Sequence, residues 1–196
     1  MPLPHLILSL AWILYCILHS VLASRRFKNV IAPMMGNHFH FYRLYYNVFA
    51  FLSFVAVVWY QINMHSYFLY QPISISIIIG AVIGAIGLAI MLICISKYFK
   101  TLSGVFHEPE KKNNTVLYIA GIHKYVRHPL YLGTFTFIWG GWIAYPLLSL
   151  LISNIIITAY TLIGIGFEEK KLLAFFGDSY KKYQQQVPMI IPRFPK

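Results

Sequence analysis

Apolar residues in this chain run rather than alternate. Residues 3–23, 42–62 and 72–96 are nearly unbroken hydrophobic stretches. Each meets the roughly 20 residues that a helix rising 1.5 Å per residue needs to cross a hydrocarbon core. Pro72 opens the third, at a position a helix tolerates. A fourth run, 129–167, is about twice the length one span needs. Tyr145-Pro146 near its middle predicts a tight turn, and hence a hairpin of spans at 129–145 and 147–167. After residue 167 the pattern changes. Leu172, Phe176, Tyr180, Tyr183 and Val187 recur at steps of three and four, with Lys170, Lys171, Lys181 and Lys182 between them. This predicts an amphipathic interfacial helix over about 168–187, broken at Gly177 and ended by Pro188. The expected fold is all-α: one membrane domain, 1–196, with five transmembrane helices and a C-terminal interfacial helix.

Composition agrees. Hydrophobic residues make up 59% of the 196 and charged residues 11%, against about 45–50% and 25% in soluble domains. Mean hydropathy is +0.65. Residues 1–20 lack a basic leader and a small-residue cleavage site, so no cleaved signal peptide is expected. Cys16 and Cys94 lie inside apolar runs at a spacing that fits no metal or redox motif. They read as small buried hydrophobes, and no metal site is expected.

Charge orients the spans. The sixteen Lys and Arg follow the first, third or fifth stretch, and the five acids follow the third or fifth. Loop 63–71 and the turn at Pro146 carry none. Five spans with the N-terminus outside place every charge on one face, which the positive-inside rule makes cytoplasmic. Four spans would send the C-terminal charges across the membrane. The net charge of +11 then faces anionic lipid, so a nucleic-acid partner is not invoked. Trp59, Tyr60, Tyr67, Tyr70, Trp139, Trp142 and Tyr145 form an aromatic belt at the opposite interface. Gly80, Gly84 and Gly87 lie near one stripe of the third span, as close helix packing requires.

The polar groups converge at one depth. Arg127-His128-Pro129 opens the fourth span and Glu168-Glu169 closes the fifth, and a short hairpin sets these ends side by side. Two readings are open. In one, Arg127 reaches a lipid phosphate, His128 and Pro129 start a helix, and the glutamates favour the dipole of the next helix. In the other, ionisable groups at the membrane edge mark a functional pocket with apolar walls.

The stretch "RHPLYLG", then "EEKKLLAFFGDSYKKYQQQVP" and "IPRF", resembles the signature of the integral membrane methyltransferases: the isoprenylcysteine carboxyl methyltransferase and phospholipid methyltransferase superfamily. The likeness covers about residues 115–194. "LHSVLASRRFK", "YRLYYN" and the continuous "YVRHPLYLG" resemble the bacterial methanethiol S-methyltransferase branch. The resemblance implies S-adenosyl-L-methionine as cofactor, held by His128, Pro129, Leu130, Tyr131 and Glu168. Leu117 and Tyr118, just before the motif, would line the same pocket. Two positions depart from the family pattern. His123 stands where the family usually has Tyr, and it is taken as a cofactor contact. Gly164 stands where the carboxyl methyltransferases place an arginine, so capture of a substrate carboxylate is disfavoured.

The implied reaction is methyl transfer in the membrane to a small or lipophilic thiol. A thiol reacts as thiolate, and His123 or His19 is the candidate base. The implied setting is a bacterial inner membrane with the active site cytoplasmic. Carboxyl or phospholipid-amine methylation is the alternative. A membrane reductase using NADPH is a further one, since sterol reductases carry a related Arg-His-Pro-x-Tyr-x-Gly; so is a non-enzymatic membrane protein.

Overall fold

The computed structural model describes residues 2–103, 117 and 119–192. These form seven α-helices: α1 (Leu3–Ala23), α2 (Arg25–Met35), α3 (Tyr42–Asn63), α4 (Ser74–Ser103), α5 (Pro129–Ala144), α6 (Leu148–Phe176) and α7 (Asp178–Gln186), with 3-10 turns at Gly36–Phe41 and Gly121–Lys124. Among the described residues there is no strand, only an isolated bridge between Phe68 and Leu147.

Four helical stretches are long and apolar enough to cross a membrane: Leu3–Ala23, Arg25–Asn63, Ser74–Lys97 and Leu148–Phe176. α5 falls at the expected place but, at sixteen residues, is shorter than these four. α1 and α3 match the predicted spans to within a residue. α2 lies where no helix was predicted. Ser24 links α1 to α2, donating its hydroxyl to the Val21 carbonyl at 2.7 Å and accepting from the Phe27 amide at 3.2 Å. α6 continues nine residues beyond the predicted end at 167, up to Gly177. The first half of the predicted 168–187 helix is thus the tail of α6. Gly177, at φ +56°, makes the break in a left-handed conformation that suits glycine.

The helices form two compact units. The first comprises the described parts of Met1–Tyr70, Tyr98–Glu108 and Leu147–Ile157. Leu8, Trp12, Cys16 and Ile152 are buried there. So are polar side chains, which pair with one another as burial demands. Gln61 Oε1 accepts from Trp12 Nε1 at 3.0 Å and from Ser153 Oγ at 2.7 Å. Ser66 Oγ lies 3.2 Å from His5 Nε2 and accepts from the Ser149 amide at 3.0 Å.

The second unit comprises the described parts of Gln71–Lys97, Pro109–Pro146 and Thr158–Lys196. α4 and α5 meet through glycine, as the stripe predicted. A Cβ on Gly80 would run into the backbone of Gly140 and Ala144, and one on Gly87 into the backbone of Gly133 and Phe137. α5 and α6 are tied by Trp139 Nε1 donating to Thr158 Oγ1 at 3.1 Å.

Candidate active site

The local fold of the second unit sets the site. Val126 is 1% exposed and anchors the segment before α5. Pro129 occupies the first turn of α5, where its missing N–H costs no hydrogen bond. The chain after α7 runs alongside: the Arg127 amide donates to the Pro188 carbonyl at 2.9 Å, and the His128 amide to the Met189 carbonyl at 3.1 Å.

Glu169 is the hub. Arg127 grips its carboxylate with two nitrogens, Nε to Oε1 at 2.8 Å and Nη2 to Oε2 at 2.9 Å, the bidentate geometry a guanidinium favours. His128 Nε2 donates to Oε1 at 2.7 Å, Tyr180 Oη to Oε1 at 2.9 Å, and Gln184 Nε2 to Oε2. Burial alone would raise the Glu169 pKa. The donors Arg127, Gln184, His128 and Tyr180 outweigh it and lower the value to about 2. Tyr180 is pushed the other way, upward, by burial and then by its bond to this carboxylate. Arg127 also donates through Nη1 to the carbonyls of Gln184 at 3.2 Å and Val187 at 2.6 Å. A cation there complements the C-terminal end of α7. Arg127 is therefore a clamp between α6 and α7, which settles its part of the two readings against a lipid-seeking side chain.

Glu168, one residue earlier, has a different setting. Its side chain is 45% exposed against 12% for Glu169. It accepts from Tyr131 Oη at 3.2 Å. His128 Nδ1 lies 3.8 Å from it, and the His128 and Tyr131 rings stack with centroids 5.7 Å apart. Because Glu169 is ionised and can only accept, His128 Nε2 carries a proton.

His123 lies beside this cluster. Its Nδ1 donates to the Arg127 carbonyl at 3.2 Å, and its own carbonyl accepts from Tyr183 Oη at 2.7 Å. Burial lowers its pKa, aided by Lys97 and His128 and opposed by the Arg127 hydrogen bond and Glu168. Leu117 packs against the cluster of Tyr180, Tyr183 and Val187. Tyr118 lies outside the described residues. His19 belongs to the first unit, where Tyr46 Oη is 3.0 Å from both its ring nitrogens.

So His123, His128, Pro129, Tyr131 and Glu168 share one neighbourhood. Sequence analysis paired Glu169 with Glu168, placed Tyr180 on the apolar stripe and included both in the stretch that carries the family resemblance, but it did not foresee Glu169 as the acceptor for Arg127, His128, Tyr180 and Gln184.

Sequence comparison places the chain among the methyltransferases. Residues 75–179 match the phospholipid methyltransferase family model, and the chain belongs to that family. It is 30% identical over 196 residues to a methanethiol S-methyltransferase of Crocosphaera subtropica, covering 91% of this chain and 71% of that protein. It is 40% identical over 73 residues to methanethiol S-methyltransferase 1 of Bradyrhizobium diazoefficiens, 36% of this chain and 24% of that protein. It is 32% identical over 116 residues to a protein-S-isoprenylcysteine O-methyltransferase of Schizosaccharomyces pombe, 55% of this chain and 49% of that protein. No solved structure matches.

Proposed function

We propose that the chain is an S-adenosylmethionine-dependent methyltransferase that transfers methyl to a small or lipophilic thiol in the membrane. The observation that best supports this is the division of labour between adjacent carboxylates. Glu169 is committed to five hydrogen bonds. Glu168 keeps exposed acceptor capacity beside an imidazole and a phenol. That donor and acceptor set fits a ligand bearing hydroxyls, an ammonium and a sulfonium.

When bound, the cofactor supplies a methyl group on a positive sulfonium. Glu168 would accept hydrogen bonds from its hydroxyls or ammonium, and the Tyr131 ring would face the cation. His128 would contact its polar end. Pro129, Leu130, Leu117 and Tyr118 would supply the apolar wall. The protein then contributes alignment and exclusion of water. The acceptor thiol must lose its proton. His123 is the first choice of base: with Nδ1–H bonded to the Arg127 carbonyl, Nε2 carries the lone pair. His19 is the second.

The thiol is favoured over a carboxylate by Gly164. A Cβ there meets nothing within 4 Å, so a side chain could start at this position, yet the chain offers no guanidinium there. Similarity to the Crocosphaera enzyme over most of the chain points the same way. The proposed topology is five spans, with α5 the fourth and α7 at the interface. The N-terminus is outside and the site faces the cytoplasm of a bacterial inner membrane.

S-adenosylhomocysteine tests the cofactor. At 100 times its Kd it should stabilise the purified protein by about 2.7 kcal/mol. Glu168→Ala and His128→Ala should each lose most of that shift. Stabilisation by NADPH instead would indicate a reductase, and by neither a non-enzymatic role. Labelled methyl transfer to methanethiol, a long-chain thiol, phosphatidylethanolamine and a prenylcysteine then tests the acceptor. Fastest transfer to the prenylcysteine or to the phospholipid amine would overturn the thiol assignment.

A further inference from the structure

The middle of α6 carries an opening that the hydrogen-bonded cluster does not fill. Tyr160, Gly164 and Glu168 stand four residues apart in one unbroken helix, so they fall along one face. At one end of that row Glu168 accepts from Tyr131 Oη of α5 at 3.2 Å. α5 and α6 meet again where Trp139 Nε1 donates to Thr158 Oγ1. Gly164 lies between these two ties. It is half-buried, yet among the described residues nothing comes within 4 Å of a Cβ built on it. A Cβ on Gly80 or Gly87 would strike backbone, so close packing explains glycine there and does not explain it at Gly164. A half-shielded position with no side chain and no neighbour is a recess.

The recess has two unlike ends. One is the Tyr131 ring with the Glu168 carboxylate, where the proposed function has the ring face the sulfonium. The other is Tyr160, four residues and about 6 Å of helix beyond Gly164. Tyr160 is near enough to Tyr131 to act on it electrostatically, so both belong to one neighbourhood. An acceptor sulfur has to line up with the bond that breaks, and its carbon chain then needs room leading away from the cofactor. The row on α6 offers that room over Gly164, as far as the Tyr160 ring.

We propose that the recess over Gly164 holds the carbon chain of the acceptor thiol and that the bulk of the Tyr160 ring ends it, so that small thiols are accepted and long-chain thiols refused. This rests on the methyltransferase reading above and narrows its acceptor from small or lipophilic to small. The thiol proton goes to the base. The thiolate sulfur forms its bond to the methyl carbon as the bond from that carbon to the sulfonium breaks, giving a methyl thioether and S-adenosylhomocysteine.

Methyl transfer to methanethiol, butanethiol and octanethiol by the purified full chain reads the boundary. In wild type kcat/KM should fall along the series. Tyr160→Ala should raise the ratio of octanethiol to methanethiol by roughly tenfold or more, the least that one methylene gains in a hydrophobic pocket. Tyr160→Phe, which keeps the ring, should keep the wild-type order. Gly164→Leu should fill the recess and steepen the fall, and it decides the matter should Tyr160→Ala not fold. Gly166→Leu, the same addition at an exposed position two residues on, should not steepen it. A readout without turnover uses the product: methyl octyl sulfide should bind the S-adenosylhomocysteine complex of Tyr160→Ala roughly tenfold more tightly than that of wild type, measured by ligand-dependent melting. S-adenosylhomocysteine alone should stabilise each folded variant as it does wild type. The same chain-length profile in Tyr160→Ala as in wild type, or in Gly164→Leu as in Gly166→Leu, overturns the recess as acceptor site and leaves the methyltransferase reading in place. A wild type that binds S-adenosylhomocysteine but methylates no thiol overturns the thiol assignment itself, and this inference with it.

Discussion

Replacing Glu169 with alanine should release α7 from α6 without dissolving the rest of the unit. Five hydrogen bonds end on this carboxylate, and four partners would lose their acceptor at once. The critical one is Arg127. Its side chain is 10% exposed and that of Glu169 12%, so the substitution leaves a shielded guanidinium without its counter-charge. Breaking such a pair costs about 3–5 kcal/mol. Arg127 keeps the Gln184 and Val187 carbonyls, and Tyr183 keeps its bond to His123, so the lower end applies. About 3 kcal/mol is roughly a hundredfold in an opening equilibrium. Amide hydrogen exchange over residues 178–189 should therefore accelerate roughly a hundredfold in Glu169→Ala. Glu169→Gln keeps one acceptor oxygen and should fall between. Exchange in that segment within about threefold of wild type, under 1 kcal/mol, would refute the hub.

Acid should act on the same contact. The Glu169 pKa falls from an ordinary 4.5 to about 2 on folding, so between those values the unfolded chain binds more protons. The stabilisation is full above about pH 4.5 and lost as pH drops toward about 2; exchange over 178–189 should follow that window, and Glu169→Gln should flatten it. Arg127→Lys should reproduce much of the Glu169→Ala loosening, because an ammonium cannot bind both carboxylate oxygens and two carbonyls at once; wild-type exchange would contradict this. Gly87→Ala and Gly140→Ala should each destabilise by about 1–3 kcal/mol through overpacking of α4 on α5. Gly141→Ala, whose Cβ meets nothing within 4 Å, should stay within about 0.5 kcal/mol in the same thermal melt.

The long helices were legible because apolar runs of span length have few alternatives. α2 was not. Arg25, Arg26 and Lys28 entered the sequence analysis only through their charge, and a proline inside a segment is a signal against helix. Yet Pro33 comes late enough that the helix ends at Gly36, three residues on, at φ +51°. The join between α6 and the interfacial segment was also hidden. Glu168 to Phe176 contains good helix formers and no stop before Gly177, so the helix continues past the change from apolar to charged. In the site, the pair of glutamates was visible but not their division. Successive helical residues point about 100° apart, so one carboxylate faces Arg127 and the other does not, and spacing cannot say which. Tyr180 satisfied the apolar stripe with its ring while its hydroxyl served Glu169, a second use that hydropathy does not register.

The brevity of α5 carries a consequence for the membrane itself. Sixteen residues rise about 24 Å, some 6 Å short of an average hydrocarbon core of about 30 Å. In the proposed topology this helix spans, and its glycine contacts with α4 leave little freedom to adjust. Such hydrophobic mismatch is relieved by the bilayer thinning around the short element, at a fraction of a kcal/mol per Å. In that topology thinning would bring headgroups and water closer to both ends of α5, including the end bearing His128 and Pro129. Under the proposed function, acyl-chain length would be a variable of the reaction. Activity should be higher in nanodiscs of short-chain lipid than in thick, long-chain ones, with the protein unchanged.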